Sequence, residues 1–319
     1  MSNKFTYLAA LLPLLILSGC GNSSSSSSSL EGETTFSLSV SDAPVDDLSE
    51  VIVCFSQVEL KGGSEDLIFE VGDGENMIMP NEACVDDNEV VIANTLGIDL
   101  LAYTGSASFT LLEDIIIPAG EYSQLRLAIS DGSYGVLEDS SKVEIQVPSN
   151  ELKLDGFTAA ISGVSDLTVE FDLRKGMTDP VGQDHYILKP RGVRLVDNSS
   201  SAAISGSVDA LQLCSLTTPE EGDFGGSVYL YQSFELDIND LSDNGGSGTY
   251  LPYASTVVSY DGENYGYEIG FVTADDYSVA FSCATEDDPD GDDGITFLQK
   301  HEATLESSDI VVNFEATDL

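Results

Sequence analysis

The chain has 319 residues, 42% of them apolar, enough to bury one large core or two ordinary ones. Eleven basic residues stand against 56 acidic ones, for a formal net charge of −45. Phosphate recognition needs basic patches, so composition argues against nucleic acid as a partner and against direct adhesion to an anionic lipid surface.

The N-terminus opens with one basic residue, Lys4, and an apolar run from Leu8 to Leu17. That run is shorter than the ~20 residues a spanning helix needs, and it has the order of a secretory signal. Leu17-Ser18-Gly19-Cys20 resembles the lipobox of bacterial lipoproteins. The resemblance implies a signal peptide over residues 1–19, cleavage before Cys20, and a Cys20 N-terminus carrying acyl chains such as palmitate. Each buried methylene is worth ~0.8 kcal/mol, so several chains hold a protein at a membrane where one does not. Gly21, rather than Asp, follows the cysteine. By resemblance to Gram-negative sorting, this implies the outer membrane, on its periplasmic or its surface face. The other reading is an ordinary secreted protein in which Cys20 is a bystander. Residues 20–34 form a linker in which Ser23 to Ser29 are consecutive serines. As a flexible coil it spans roughly 20 Å.

Residues 35–198 read as a first β-sandwich domain. Phe36, Leu38 and Val40 alternate with polar residues, the pattern of a half-buried strand. Ser41-Asp42-Ala43-Pro44 breaks it. Val51, Val53 and Phe55 alternate again and put Cys54 on the opposite face. Further strands are expected over Leu125–Ile129, Val143–Val147, Val169–Arg174, Tyr186–Leu188 and Val193–Val196, with turns at Pro118-Ala119-Gly120 and Asp131-Gly132. A short helix fits only Ile98 to Tyr103. Residues 199–319 read as a second sandwich of about seven strands, immunoglobulin-like in count. A shift in charge marks the boundary: Arg174, Lys175, Lys189, Arg191 and Arg194 precede it, and after Ser201 Lys300 is the only basic residue. The expected fold is therefore all-β, two antiparallel β-sandwich domains in tandem behind the signal and linker.

Besides Cys20, four cysteines remain, an even number in an exported chain, which points to disulfides. Three pairings are possible. The domain boundary selects Cys54–Cys84 and Cys214–Cys283, each worth ~3–4 kcal/mol by loop entropy.

Several stretches of the first domain carry a family resemblance. They are Leu38–Asp47, Ile98-Asp99-Leu100-Leu101, Ile117–Arg126, Phe171-Asp172-Leu173-Arg174-Lys175 and Leu188-Lys189-Pro190-Arg191. Together they resemble a family of bacterial surface lipoproteins known as a domain of unknown function, numbered four-three-eight-two. The resemblance implies location and architecture and no chemistry. In the second domain, Tyr267-Glu268-Ile269-Gly270-Phe271 followed by Ala274–Val279 is similar to transthyretin-like or carboxypeptidase-regulatory-like sandwiches. Asp275 and Asp276 stand where that family usually has Gly before Tyr277. Such modules are mostly non-catalytic spacers or adhesion units.

Three groups of residues are candidates for chemistry. In the stretch from Asp287 to Ile295, Asp288, Asp290 and Asp292 alternate, with Asp293 beside them. Alternating Asp in a Gly-broken turn suits calcium, which takes six to eight oxygens from a flexible loop. The closing Glu of an EF-hand is missing, Gln299 standing in its place, and the other reading is an acidic turn without an ion. Arg174, Lys175, Lys189 and Arg191 either form a positive patch for an anionic glycan or a partner's carboxylates, or pair with this chain's own acids, such as Asp172 and Asp184. Asp42, Asp46 and Asp47 flank the first turn, as acid–base candidates or as a solvated turn. Catalytic signatures do not appear: Gly245-Gly246-Ser247-Gly248 lacks the nucleophile-elbow spacing, and His301-Glu302 is followed by Leu305 where a zinc protease needs His.

The function expected is a lipid-anchored cell-envelope binding or adhesion module, with a protein or glycan partner. The alternatives are an assembly lipoprotein scaffolding a partner at the outer membrane, and a carboxylate-based hydrolase.

Overall fold

The computed structural model describes residues 32–318 apart from 44–47, 64, 75–77, 87 and 138. The signal, Cys20, the serine linker, Asp46 and Asp47 lie outside the described residues. Among the described residues the regular structure is nearly all strand, with two four-residue α-helices, Leu173–Gly176 and Ala210–Leu213, and short 3-10 turns. Among the described residues, no helix is long and apolar enough to cross a membrane.

The N-terminal part packs two sheets face to face. A four-stranded sheet runs in the order Val193–Asp197, Val164–Asp172, Glu33–Ala43, Phe109–Pro118. Opposite it, a ten-stranded sheet is organised around the long strand Leu48–Gly62, whose C-terminal half, from Phe55 to Gly62, pairs with Gly120–Ile129. The period-two pattern explains the packing. Phe36, Leu38 and Val40 from the first strand meet Leu167, Val169 and Phe171, and together they pack against Val53, Phe55, Leu125 and Leu127 in one buried cluster. Burying each such side chain contributes roughly 1.5–3 kcal/mol. Ile52 and Cys54 point away from that core, and Cys54 is disulfide-bonded to Cys84 on the outer face, Cα–Cα 5.9 Å. The expected short helix is a 3-10 turn over Leu100–Ala102, its N-cap Asp99 accepting from the Leu101 amide.

The C-terminal part is one seven-stranded sheet in the order Phe297–Leu305, Asp275–Ser282, Phe224–Gln232, Ala254–Tyr260, Tyr265–Thr273, Ser201–Ser207, Ile310–Val311. Ala254–Tyr260 and Tyr265–Thr273 are paired only through Ser259↔Gly266 and Tyr260↔Tyr265 at their hairpin. The sheet folds there and closes on itself as a sandwich, with Ile204, Val228, Leu230, Ile269, Val279 and Phe281 inside. Cys214 and Cys283 are disulfide-bonded, Cα–Cα 5.5 Å. The strand Phe224–Gln232 is buried on both faces: a second apolar cluster of Tyr229, Tyr231, Leu236, Leu241, Ala280 and Phe297 lies on its outer side.

Pairing is mainly antiparallel, as expected. Three strand pairs are parallel: Glu33–Ala43 with Val164–Asp172, Lys142–Gln146 with His185–Leu188, and Ser201–Ser207 with Ile310–Val311. Each joins strands far apart in sequence, which a parallel pair requires and a local reading does not supply. Among the described residues, no strand pairing joins residues before 198 to residues after 200.

Candidate functional site

The basic residues gathered before the boundary lie at the joint between the two parts. The strand Val164–Asp172 ends where Asp172 caps the helix Leu173–Gly176, its Oδ1 accepting from the Lys175 amide at 3.1 Å. That turn projects Arg174 into the C-terminal part, where it is 2% exposed. Its Nη1 donates to the Thr285 carbonyl at 2.8 Å and its Nη2 to the Tyr229 hydroxyl at 3.3 Å, 3.9 Å from Asp287 Oδ2. Tyr229 in turn donates to Asp287 Oδ2 at 2.8 Å. Burial pushes the Tyr229 phenol far above its usual range, so it remains a donor.

The neighbouring cations reach across the same joint. Lys175 Nζ donates to the Pro252 carbonyl at 3.0 Å. Lys189 Nζ meets both Asp290 oxygens at 2.7 Å, and Arg191 Nη2 donates to Asp290 Oδ1 at 2.9 Å and to the Pro289 carbonyl at 2.7 Å. Asp290 is held below the usual carboxylate range, first by its hydrogen bond from Lys189. Arg194 pairs with buried Glu170 at 3.2 Å and lies over the Tyr253 ring. Burial pushes the Glu170 carboxyl up to about 7, against the attraction of Arg194. The basic cluster is therefore engaged internally. Asp287, Asp290 and Glu170 serve it, and Asp172 caps its helix.

A second contact between the parts lies at the loop 104–107. The Ser106 amide donates to Glu268 Oε1 at 3.1 Å, and the Ser106 hydroxyl bonds the same oxygen. Gly270 lies against this loop so closely that a Cβ there would fall 2.1 Å from the Gly105 carbonyl oxygen.

The acidic loop Thr285–Thr296 springs from the Cys214–Cys283 disulfide and is stitched to the loop 242–248. Asp292 Oδ2 accepts from the Ser247 hydroxyl at 2.7 Å, and its Oδ1 from the Gly294 amide at 3.1 Å. Asp288 Oδ1 accepts from the Asp290 amide at 2.9 Å, and Asp293 Oδ2 from the Asp288 amide at 2.6 Å. Of the four acids singled out for calcium, Asp293 alone joins a carboxylate cluster with metal-ligand spacing among the described residues. Its companions are Asp243 and Asp287, their oxygens all within 4.8 Å of one another. Asp243 was not legible as a candidate; its signal is the turn string Ser242-Asp243-Asn244-Gly245-Gly246, distant in sequence. Asp42 is buried at the end of its strand, its amide donating to the Tyr103 carbonyl at 2.9 Å. His185 and His301 lie in different parts of the molecule.

Beside the joint runs a cleft of about 1080 Å³. Met177, Asp179 and Tyr186 of the N-terminal part form one wall, and Glu286, Ile295 and Leu298 of the C-terminal part form the other.

Fold and joint together define an all-β protein in two parts, the first gripping an acidic loop of the second through its run of cations. Residues 33–190 match the family described as Domain of unknown function (DUF4382), and this part of the chain belongs to that family. The match spans every N-terminal residue that grips the acidic loop except Arg191, which lies just beyond it, as does Arg194. No curated protein matches the sequence. Among solved structures, the chain is similar to the Bacillus anthracis TIE protein (6% identity, 88% of this chain and 33% of that one, TM-score 0.18). It is also similar to a leucine-rich repeat protein from Bacteroides thetaiotaomicron VPI-5482 (11% identity, 88% and 26%, TM-score 0.17). A third is GBS52, the minor pilin of the Gram-positive pathogen Streptococcus agalactiae (11% identity, 88% and 94%, TM-score 0.19). The chain thus spans about a third or less of the first two. TM-scores this low carry no argument about this chain.

Proposed function

We propose that the chain is a non-catalytic binding module tethered to the cell envelope through Cys20. The observation that carries the reading is the cleft at the joint. Its walls come from both parts, and the grip of Arg174, Lys189 and Arg191 on the acidic loop fixes them in place. A concave site with apolar patches and a few convergent polar groups is the form a ligand pocket takes. Asp179, Glu286 and Asp288 give it acidic walls, which suit a hydroxyl-rich glycan or a cationic segment of a protein. The lipobox and the serine linker support the tether, and the linker gives the folded body roughly 20 Å of reach.

The test uses cells lacking the gene, scored for adhesion to glycan- and protein-coated surfaces. Wild type is expected to restore adhesion. Cys20→Ala, which removes the acylated residue, and Glu286→Lys, which reverses charge on the cleft wall, are each expected to lose it. Full restoration by both variants would end the proposal.

A further inference from the structure

We propose that Asp243, Asp287 and Asp293, with the side-chain carbonyl of Asn244, form a calcium site that fastens the acidic loop to the loop 242–248. The three carboxylates each offer an oxygen within 4.8 Å of the others, the spacing of ligands around one ion. A second observation is independent of that spacing. Asp243 is 3% exposed and the Asp287 side chain 0% exposed, yet the Oδ1 of each has no hydrogen-bond partner. Asn244 Oδ1 is likewise buried and without one. Its amide nitrogen is fixed, donating to Asp287 Oδ2 at 2.7 Å and to the Ser255 hydroxyl at 2.9 Å. Buried acceptor atoms left without a donor are expensive, and a cation satisfies them.

Charge points the same way. Three carboxylates share the cluster, and the guanidinium that reaches it, Arg174, lies 3.9 Å from Asp287 alone. The residual charge of about −2 is what a single divalent cation neutralises. Without it, burial and the charge of Asp287 hold the Asp243 carboxyl above its usual range, and burial does the same to Asp287.

Donor chemistry selects calcium. Every ligand is a hard oxygen, and the cysteine at the loop's base is locked in its disulfide, so soft metals find no partner here. Calcium takes six to eight oxygens in loose geometry, and Asp293 is exposed, leaving room for water to complete the shell. The ion would act on the joint as well, because Asp287 is shared: its Oδ2 faces Tyr229 and Arg174. This site differs from the alternating Asp288, Asp290, Asp292 array, and the inference does not depend on what the cleft binds.

The test is calcium titration of the full chain in detergent after chelation, by calorimetry and thermal melting. One saturable site is expected. At about a hundred-fold excess over Kd the Tm should rise by about 5 °C, and equal magnesium should raise it by less. Asp243→Asn and Asp293→Asn should each abolish the rise. Asp293 is exposed, so its variant tests the site even if the buried variant fails to fold. Asp290→Asn, in the joint outside the cluster, should keep the rise. Absence of saturable calcium heat in wild type would overturn the site. So would an undiminished Tm response in Asp293→Asn.

Discussion

Arg174 shows how one residue sets an interface. Placing a guanidinium where it is 2% exposed is costly unless its donors are met, and here a carbonyl, a phenol oxygen and a carboxylate surround it. The phenol accepts from Arg174 and donates to Asp287, so the three form a chain in which each polar group satisfies the next. Arg174→Met should therefore cost about 3–5 kcal/mol, because it strands a buried carboxylate. Arg174→Lys should recover only a minor part, since an ammonium lacks the planar fork that reaches Thr285 and Tyr229 together. Urea midpoints measure both, and a loss under about 1 kcal/mol for Arg174→Met would contradict the role given to it. Glu170 makes a pH prediction. Its folded carboxyl sits at about 7 against an ordinary 4.5. Between those values the folded chain holds a proton that the unfolded chain has released, so this group's contribution is largest below about 4.5 and falls as pH rises to about 7. Melting in that window should show stability declining with pH, and Glu170→Gln should flatten the decline. Superimposable pH profiles for the two proteins would rule Glu170 out as the source.

At the level of elements, strands were legible where one face is buried and the other is not. Phe36, Leu38 and Val40 read correctly because period two is all that face requires, and Cys54 was placed on the outer face by the same alternation. The strand Phe109–Pro118 was not legible. A bulge at Asp114, whose φ is +52°, breaks its alternation, and Leu111 and Leu112 are buried side by side. Pairing was legible for the disulfides, because the boundary left one partner for each cysteine. It was not legible for Glu33–Ala43 with Val164–Asp172, whose contact is set by the closing of the whole sandwich. The site follows the same division. A run of Asp marked the acidic loop, and a cluster of cations marked the joint. That the two meet at Lys189, Arg191 and Asp290 depends on how the parts dock. Asp243 was not legible because its turn string, distant in sequence from the acidic loop, does not set it apart among 56 acids; its place comes from the fold that brings it beside Asp287.

For the whole molecule the governing quantity is a net charge of −45, and its effect on stability opposes that of the joint. Like charge spread over the surface favours expansion, whereas the joint draws opposite charges together. Salt weakens both, so the sign of its net effect shows which dominates. Within the joint, the pairs salt can reach are Lys189–Asp290 and Arg191–Asp290, 30–41% exposed at their side chains and worth ~0–1 kcal/mol each. Arg174 with Asp287 is shielded from solvent and screens little. Against these few contacts stands repulsion among tens of carboxylates, acting over a Debye length of about 30 Å at 0.01 M and under 10 Å above 0.1 M. Repulsion among so many like charges exceeds what these pairs and the few other exposed ion pairs, such as Lys61–Asp66 and Lys153–Glu151, can return. Raising sodium chloride from about 0.01 M to about 0.5 M in excess chelator should therefore raise Tm by several degrees, although it loosens the exposed half of the joint. Asp290→Asn, which removes the screenable pairs of the joint, should show a somewhat larger rise than wild type. A Tm that falls with salt would mean that attraction across the joint outweighs the repulsion of the acidic surface.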